Sequence, residues 1–375
     1  MQKWEVKTEH KVLICVLIIG TILRYLMLLT PYNFDFESYC IVGDLVTQGE
    51  NVYASTFRYN YGFFFSVIQG VTWWLSGFWG DQQTVFRVLI VSVLTLTDLG
   101  IFSILYKKYS LRAASCFYLS LVSIAITGQH HQFDNIAVLL FLIAICFFNT
   151  KNDFSKKDFL FVLFFSASLI MKHIFFVFPV WILFNNRLSI KKKLLYAFVP
   201  PAIFVLSFVP FAIGNQNALY GIIKNVFMYR SYNNAPLLSL VYRLMNLPDQ
   251  YWIIGFIGCM VLVGFLYRKS DIDHQMLIYL LALLAFSSAI ANQYLAIPLV
   301  SICVLTKEAG TILYNVLEFL YLCVSDVGLQ INKMSFLSEY WLFQSEGAYF
   351  AAALMCLGIL AWDVFCMKKE QNSIE

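Results

Sequence analysis

The residues that could do chemistry form short clusters between long apolar runs. Asp35 and Glu37 stand two apart in Asn33-Phe34-Asp35-Phe36-Glu37-Ser38-Tyr39. A carboxylate at a membrane surface facing a cavity can act as general base toward a hydroxyl. The same stretch suits a helix start, with Asp35 or Ser38 as the N-cap. His130, His131 and Asp134 lie in Gln129-His130-His131-Gln132-Phe133-Asp134-Asn135, with His130 and Asp134 four apart. They could ligate a metal, or they could hydrogen-bond a polar substrate or a neighbouring helix end. Two ligands and one distant carboxylate are few for a metal site, so the non-metal reading is preferred. Lys172, beside His173, and Arg230 could neutralise a phosphate. Arg230 could equally be a solvated loop cation, and Lys172 could snorkel to the interface. Lys172 sits inside an apolar run, where an unpaired charge costs roughly 2.5–3.5 kcal/mol on the insertion scale. Tyr39, Tyr59, Tyr61, Tyr232 and Tyr294 could stack on sugar faces or form an interfacial belt.

The elements that must position these groups are membrane helices. Of 375 residues, 60% are hydrophobic and 13% charged. A soluble domain carries about 45–50% apolar and about 25% charged residues. The apolar residues come in long unbroken runs, which excludes an outer-membrane barrel as well as a soluble enzyme. A net charge of +4 without a basic stripe gives no nucleic-acid partner. The nine Cys show no CxxC pair or metal spacing, and the eight other than Cys40 lie in or beside apolar runs and read as small core residues. No P-loop, dinucleotide fingerprint, nucleophile elbow or HExxH is present, so no soluble nucleotide-sugar site is expected.

Candidate spans are 12–30, 85–106, 111–127, 135–149, 159–171, 173–184, 194–213, 251–267, 276–290, 294–305, 309–325 and 347–367. Lys3, Lys7 and Lys11 before the first span mark an uncleaved signal anchor with a cytoplasmic N-terminus. If 63–79 lies as an external or re-entrant helix, most cationic clusters fall on the cytoplasmic side. If it crosses, nearly all flip outside, so the first arrangement is preferred. Segment 159–184 then has cations at both ends and must turn back near Lys172 and His173. Its arms would be about 18–20 Å long, short of a ~30 Å hydrocarbon core. Segment 276–305 repeats the pattern at Asn292, Gln293 and Tyr294. Broken helices with polar turns are tolerated where they line a protein cavity. The expected fold is all-α, a single membrane domain over 1–375 with about 11–13 helices, some broken or re-entrant. It has a first external loop at 31–84 with interfacial helices and a second at 214–250.

Several islands resemble GT-C superfamily glycosyltransferases. Asp35-Phe36-Glu37 resembles the acidic motif of their first external loop, as does Arg58-Tyr59-Asn60-Tyr61-Gly62 before an apolar helix. The Gln129–Asn135 turn is similar to turns of dolichyl-phosphate-glucose-dependent enzymes of N-glycan assembly and of bacterial polyprenyl-phosphate-dependent mannosyltransferase-like proteins. Met171-Lys172-His173 and Asn292-Gln293-Tyr294 fit the broken helices, and the first loop is similar to that of glycosylphosphatidylinositol mannosyltransferase I. Phe63 stands where relatives commonly carry Pro, and no large C-terminal external domain follows.

The resemblance implies transfer of a hexose (glucose, mannose or N-acetylhexosamine) from a polyprenyl-phosphate sugar. The acceptor would be a glycan, glycolipid or cell-wall polymer at the non-cytoplasmic face, and transfer would proceed with inversion. Asp35 would be the general base with Glu37 beside it. Lys172, His173 and Arg230 would bind the donor phosphate. Arg58, Tyr59, Tyr61, His130, His131, Gln132, Asp134, Asn135, Gln293 and Tyr294 would hold sugar and acceptor. No cofactor is required; a divalent metal is conceivable but not favoured. Membrane lipid is the remaining partner. The expected location is a bacterial plasma membrane with the site outside, or the endoplasmic reticulum if the chain is eukaryotic. The alternative is a transporter or flippase of lipid-linked sugars, using the same groove without a base.

Overall fold

The computed structural model describes residues 2–228, 236–246, 248 and 251–372. Arg230 and Tyr232 lie outside these residues. The described chain is all-helical, 78% helix with no strand. It contains 19 α-helices, more than the 11–13 expected, because several apolar runs are divided and the external loops add short helices.

Local chemistry sets most boundaries. Asn33 caps the Phe34–Thr47 helix by accepting the Asp35 N–H, and Gly49 ends it in the left-handed region at φ 75°. Asp35 is therefore inside the first turn and is not the cap. Asp81, Ser110, Ser120 and Asp271 cap later helices in the same way. Ser155 and Asp158 form a capping box at the start of Lys156–Met171.

Side-chain contacts sort the helix ends into two groups. At one end Asn149, Asp158, Lys192 and Tyr196 meet, joining the loop after Asp134–Cys146 to the starts of Lys156–Met171 and Ile190–Leu206. Asn185 bonds Gln275, and the Asn186 N–H bonds the Arg268 carbonyl. Lys108 pairs with Asp273, and Arg112 reaches Glu308 and the Thr306 carbonyl. The segments carrying the cationic clusters expected on the cytoplasmic side thus share one end of the bundle. Both 156–190 and 272–308 start and finish there, so each turns back in between, as the charge pattern required. At the opposite end Gln129 bonds the carbonyls of Pro31 and Gly328, while Asn292 bonds Ser325.

The span lengths depart from expectation. Glu9–Leu29, Gln82–Lys108, Ile190–Ala212 and Ser345–Lys369 are long and apolar enough to cross a membrane. The expected 111–127 span is instead the pair Leu111–Tyr118 and Leu121–Gly128, bent by 47°. Ser120 both caps the second helix and bonds Asn315, which interrupts the run. Phe63–Ser76, Asp134–Cys146, Trp252–Leu266, Ile272–Phe286 and Asn292–Leu305 are shorter apolar helices.

An ion pair inside the apolar helices ties the first part of the bundle together. Arg24 is fully buried and donates from Nε to Asp98 Oδ2 at 2.9 Å. Its other nitrogens reach the Tyr118 carbonyl and Ser123 Oγ, and its guanidinium stacks on the Tyr118 ring. Asp98 also accepts from Thr127 and Asn135. Removing one member leaves the other as an unpaired buried charge. Asp98→Ala should therefore cost about 3–5 kcal/mol, while Arg24→Met combined with Asp98→Leu should recover much of the loss. Unfolding of the purified protein in mixed detergent micelles measures both. Equal midpoints for Asp98→Ala and wild type would show that the pair does not hold these helices.

Candidate functional site

The site forms where five segments converge. The Phe34–Thr47 helix brings Asp35 in its first turn. The 129–134 turn brings Gln132 and Asp134. The break after Lys156–Met171 brings Lys172, the loop at 58–62 brings Tyr61, and the 3-10 turn Asn292–Ala296 brings Tyr294.

Lys172 leaves the helix in an extended conformation and is almost fully buried. Its Nζ lies 2.7 Å from Asp134 Oδ2, and Asp134 Oδ1 has no hydrogen-bond partner among the described residues. The ammonium also faces the rings of Phe133, Tyr61 and Tyr294 at 4.9, 5.1 and 5.9 Å. Gly62 permits this packing, because a Cβ there would lie 1.9 Å from the Ile170 carbonyl oxygen. Tyr59 secures the same loop from inside: it is buried, donates to the Gly62 carbonyl and accepts from the Ser66 N–H.

Asp35 is half-buried, and its Oδ2 accepts from Gln132 Nε2 at 2.5 Å. Gln132 in turn accepts from the buried Tyr39 hydroxyl at 3.4 Å. Burial raises the proton affinity of Asp35 above the ordinary carboxylate value, and Asp134 adds to the rise. Lys172, the Gln132 hydrogen bond and Arg58 oppose it without cancelling it. Glu37, two residues on, points elsewhere: it is exposed and pairs with Arg58 at 3.7 Å. Positions i and i+2 of a helix do not share a face. Arg58 also stacks on the exposed Phe34 ring.

Lys172 and His173 are among the residues that line an apolar cavity of about 410 Å³. Phe204, Phe256, Tyr279 and Tyr294 are among its walls. Phe176, Phe227, Ile253 and Ile257 also line it and are themselves exposed on the outer surface of the bundle. The cavity is thus bordered on that side by residues that face the surrounding medium.

Other expected site residues are turned to other partners. His130 Nδ1 takes the amide of Asn33 at 3.0 Å. His131 Nε2 accepts from Arg87 Nε at 2.9 Å in a left-handed backbone conformation, φ 58°. Arg87 also binds the carbonyls of Leu28 and Thr30. The two histidines therefore hold the chain leading to Asp35 against the turn carrying Gln132. Asn135 belongs to the Asp98 network. Gln293 is half-buried on the turn that carries Tyr294. His130 and Asp134 have separate partners, and among the described residues no three His, Cys, Asp or Glu converge as metal ligands. The 129–133 turn and the cations Arg24 and Arg87 are visible in the sequence, but the pairings are not. A cation inside an apolar run is the one signal that could have found Arg87.

Burial holds His130 down at about 4, and burial with the nearby Arg87 holds His131 well below its usual value of 6.5. The unfolded chain takes up these protons near 6.5, and the folded chain does not. The stability both contribute is present above that value and is lost as pH falls below it. The melting temperature of the purified protein should fall on acidification across this range. A His130→Asn/His131→Asn variant, whose Asn tolerates the left-handed position, should fall less. Parallel profiles would remove the histidines as the cause.

No protein-family model, curated protein or solved structure matches this chain.

Proposed function

We propose that this chain is an integral-membrane glycosyltransferase of GT-C type, moving a hexose from a polyprenyl-phosphate sugar to a glycan, glycolipid or cell-wall polymer at the non-cytoplasmic face. The observation that carries this reading is a buried ammonium, Lys172, that lines an apolar cavity bordered by outward-facing side chains and lies near enough to Asp35 for its charge to favour the ionised carboxylate. A lipid phosphate needs both a cation and a place for its chain. A transfer to a hydroxyl needs a base within reach of the same phosphate.

In this scheme the isoprenoid lies along Phe204, Ile253 and Phe256, with its phosphate at Lys172. Asp134 fixes the ammonium's direction. The acceptor hydroxyl gives its proton to Asp35 as its oxygen attacks the anomeric carbon. The bond from that carbon to the phosphate oxygen breaks, and polyprenyl phosphate leaves with its charge facing Lys172. One displacement inverts the anomeric configuration. Gln132 orients Asp35, and Tyr39 orients Gln132. Tyr61 and Tyr294 flank the sugar. Arg58 and Glu37 lie at the rim toward the acceptor.

Purified protein in lipid, offered polyprenyl-phosphate glucose, mannose, galactose and N-acetylglucosamine with a host lipid and wall-polymer fraction, tests the scheme. Polyprenyl phosphate should be released with one donor. Asp35→Asn should lower the rate by about 10²–10⁴, the usual worth of a positioned base. Because the proton affinity of Asp35 is raised, activity should fade with falling pH before an ordinary carboxylate would titrate. Labelled lipid crossing the bilayer equally in wild type and Asp35→Asn, with no release, would move the reading to a flippase.

A further inference from the structure

A second acidic group lies far from this chemistry in the chain and has no counter-charge among the described residues. Glu318 sits in the Glu308–Val324 helix, fully buried, and neither carboxyl oxygen has a hydrogen-bond partner among the described residues. No Lys, Arg or His of the described residues pairs with it. The groups that face it are Tyr314 and Tyr321 on its own helix and Tyr349 and Cys356 on the C-terminal helix. Leu121–Gly128, also packed on this helix, carries no titratable residue. Lys333 and Glu339, on the 3-10 turn that packs on it, are exposed.

Each facing hydroxyl already has another acceptor. Tyr314 donates to the Leu295 carbonyl at 2.8 Å. Tyr321 and Tyr349 both donate to Asn292 Oδ1 at 2.6 Å. Asn292 starts the turn that carries Tyr294 toward Lys172. An ionised carboxylate without a cation or donor is too costly at such a place, and a neutral acid is not.

We propose that Glu318 is a proton-binding site that controls the Asn292 turn. With its proton, Glu318 leaves the tyrosine hydroxyls to Asn292. Without it, the carboxylate becomes the stronger acceptor for Tyr321 and Tyr349, and Asn292 loses both donors. The proton thus links the C-terminal helices to the turn that faces Lys172. This holds whether the cavity serves a transferase or a flippase.

Infrared spectra of the protein in lipid bilayers test it without any assay of activity. The difference between wild type and Glu318→Gln should show a carboxylic-acid carbonyl band at neutral pH that fades in alkaline buffer. A folded state that holds a proton the unfolded state has lost is weakened as pH rises. The melting temperature of wild type should therefore drop on the alkaline side, and that of Glu318→Gln should drop less. Carboxylate bands at neutral pH in place of the acid band would overturn the proposal. If Glu318→Gln does not fold, wild type treated with dicyclohexylcarbodiimide decides. The acid O–H adds across a C=N bond of the reagent, and the acyl group then migrates to nitrogen as a stable N-acylurea. The adduct should be found on Glu318 by peptide mass spectrometry, decreasing as pH rises. Its absence would likewise overturn the proposal.

Discussion

The pairing of Lys172 with Asp134 is the constraint on which the candidate site depends. A cation in the middle of an apolar run must find an opposite charge or leave the membrane. Lys172 finds it at the first residue of the Asp134–Cys146 helix, where the helix dipole also favours a carboxylate. That bond fixes the break after Met171 against the 129–134 turn. The turn carries Gln132, and Gln132 carries the hydrogen bond to Asp35. The aromatic rings around the ammonium then fix the 58–62 loop and the 292–296 turn. One ion pair therefore gathers segments widely separated in sequence.

The same principle recurs elsewhere in the bundle. Arg24 meets Asp98 inside the bundle, and the buried Lys192 meets Asp158 at the end bearing the cationic clusters. Each pair joins helices and has its remaining donors and acceptors matched to nearby groups. Lys172 differs in two respects. Its carboxylate partner keeps one oxygen unmatched, and it faces open volume. Those are the features expected of a charge left available to a ligand, and they set this pair apart from its two structural counterparts.

Much of this architecture was legible in the sequence. Apolar runs located the helices, and cationic clusters the two segments that turn back. Single polar residues at 172–173 and 292–294 located the breaks. What the sequence left open was rotation and partnership. His130 and His131 are adjacent, yet one serves Asn33 and the other Arg87, because the left-handed backbone at His131 turns their rings apart. Asn135 follows Asp134 but lies on the helix face toward Asp98. No spacing rule states such choices, since they depend on which helix is nearest. The 111–127 run carries Ser115, Ser120 and Ser123, and nothing in their spacing singles out Ser120 as the place of the bend.

The choice of Asp35 over Glu37 shows how geometry separates two like residues. Glu37 is exposed and shares its charge with Arg58, so it gains little from the protein. Asp35 is drawn toward Lys172 by charge and away from ionisation by burial, and burial wins. In the proposed reaction these opposing influences do not stay constant. A phosphate at Lys172 would offset the cation that favours the ionised form of Asp35. The carboxylate would then bind a proton more strongly when the donor is in place than when the cavity is empty. Departure of the lipid phosphate would restore the pull of Lys172 and help Asp35 release the proton it had taken. A base placed beside the leaving group's counter-cation is thus strengthened by the substrate and reset by its loss.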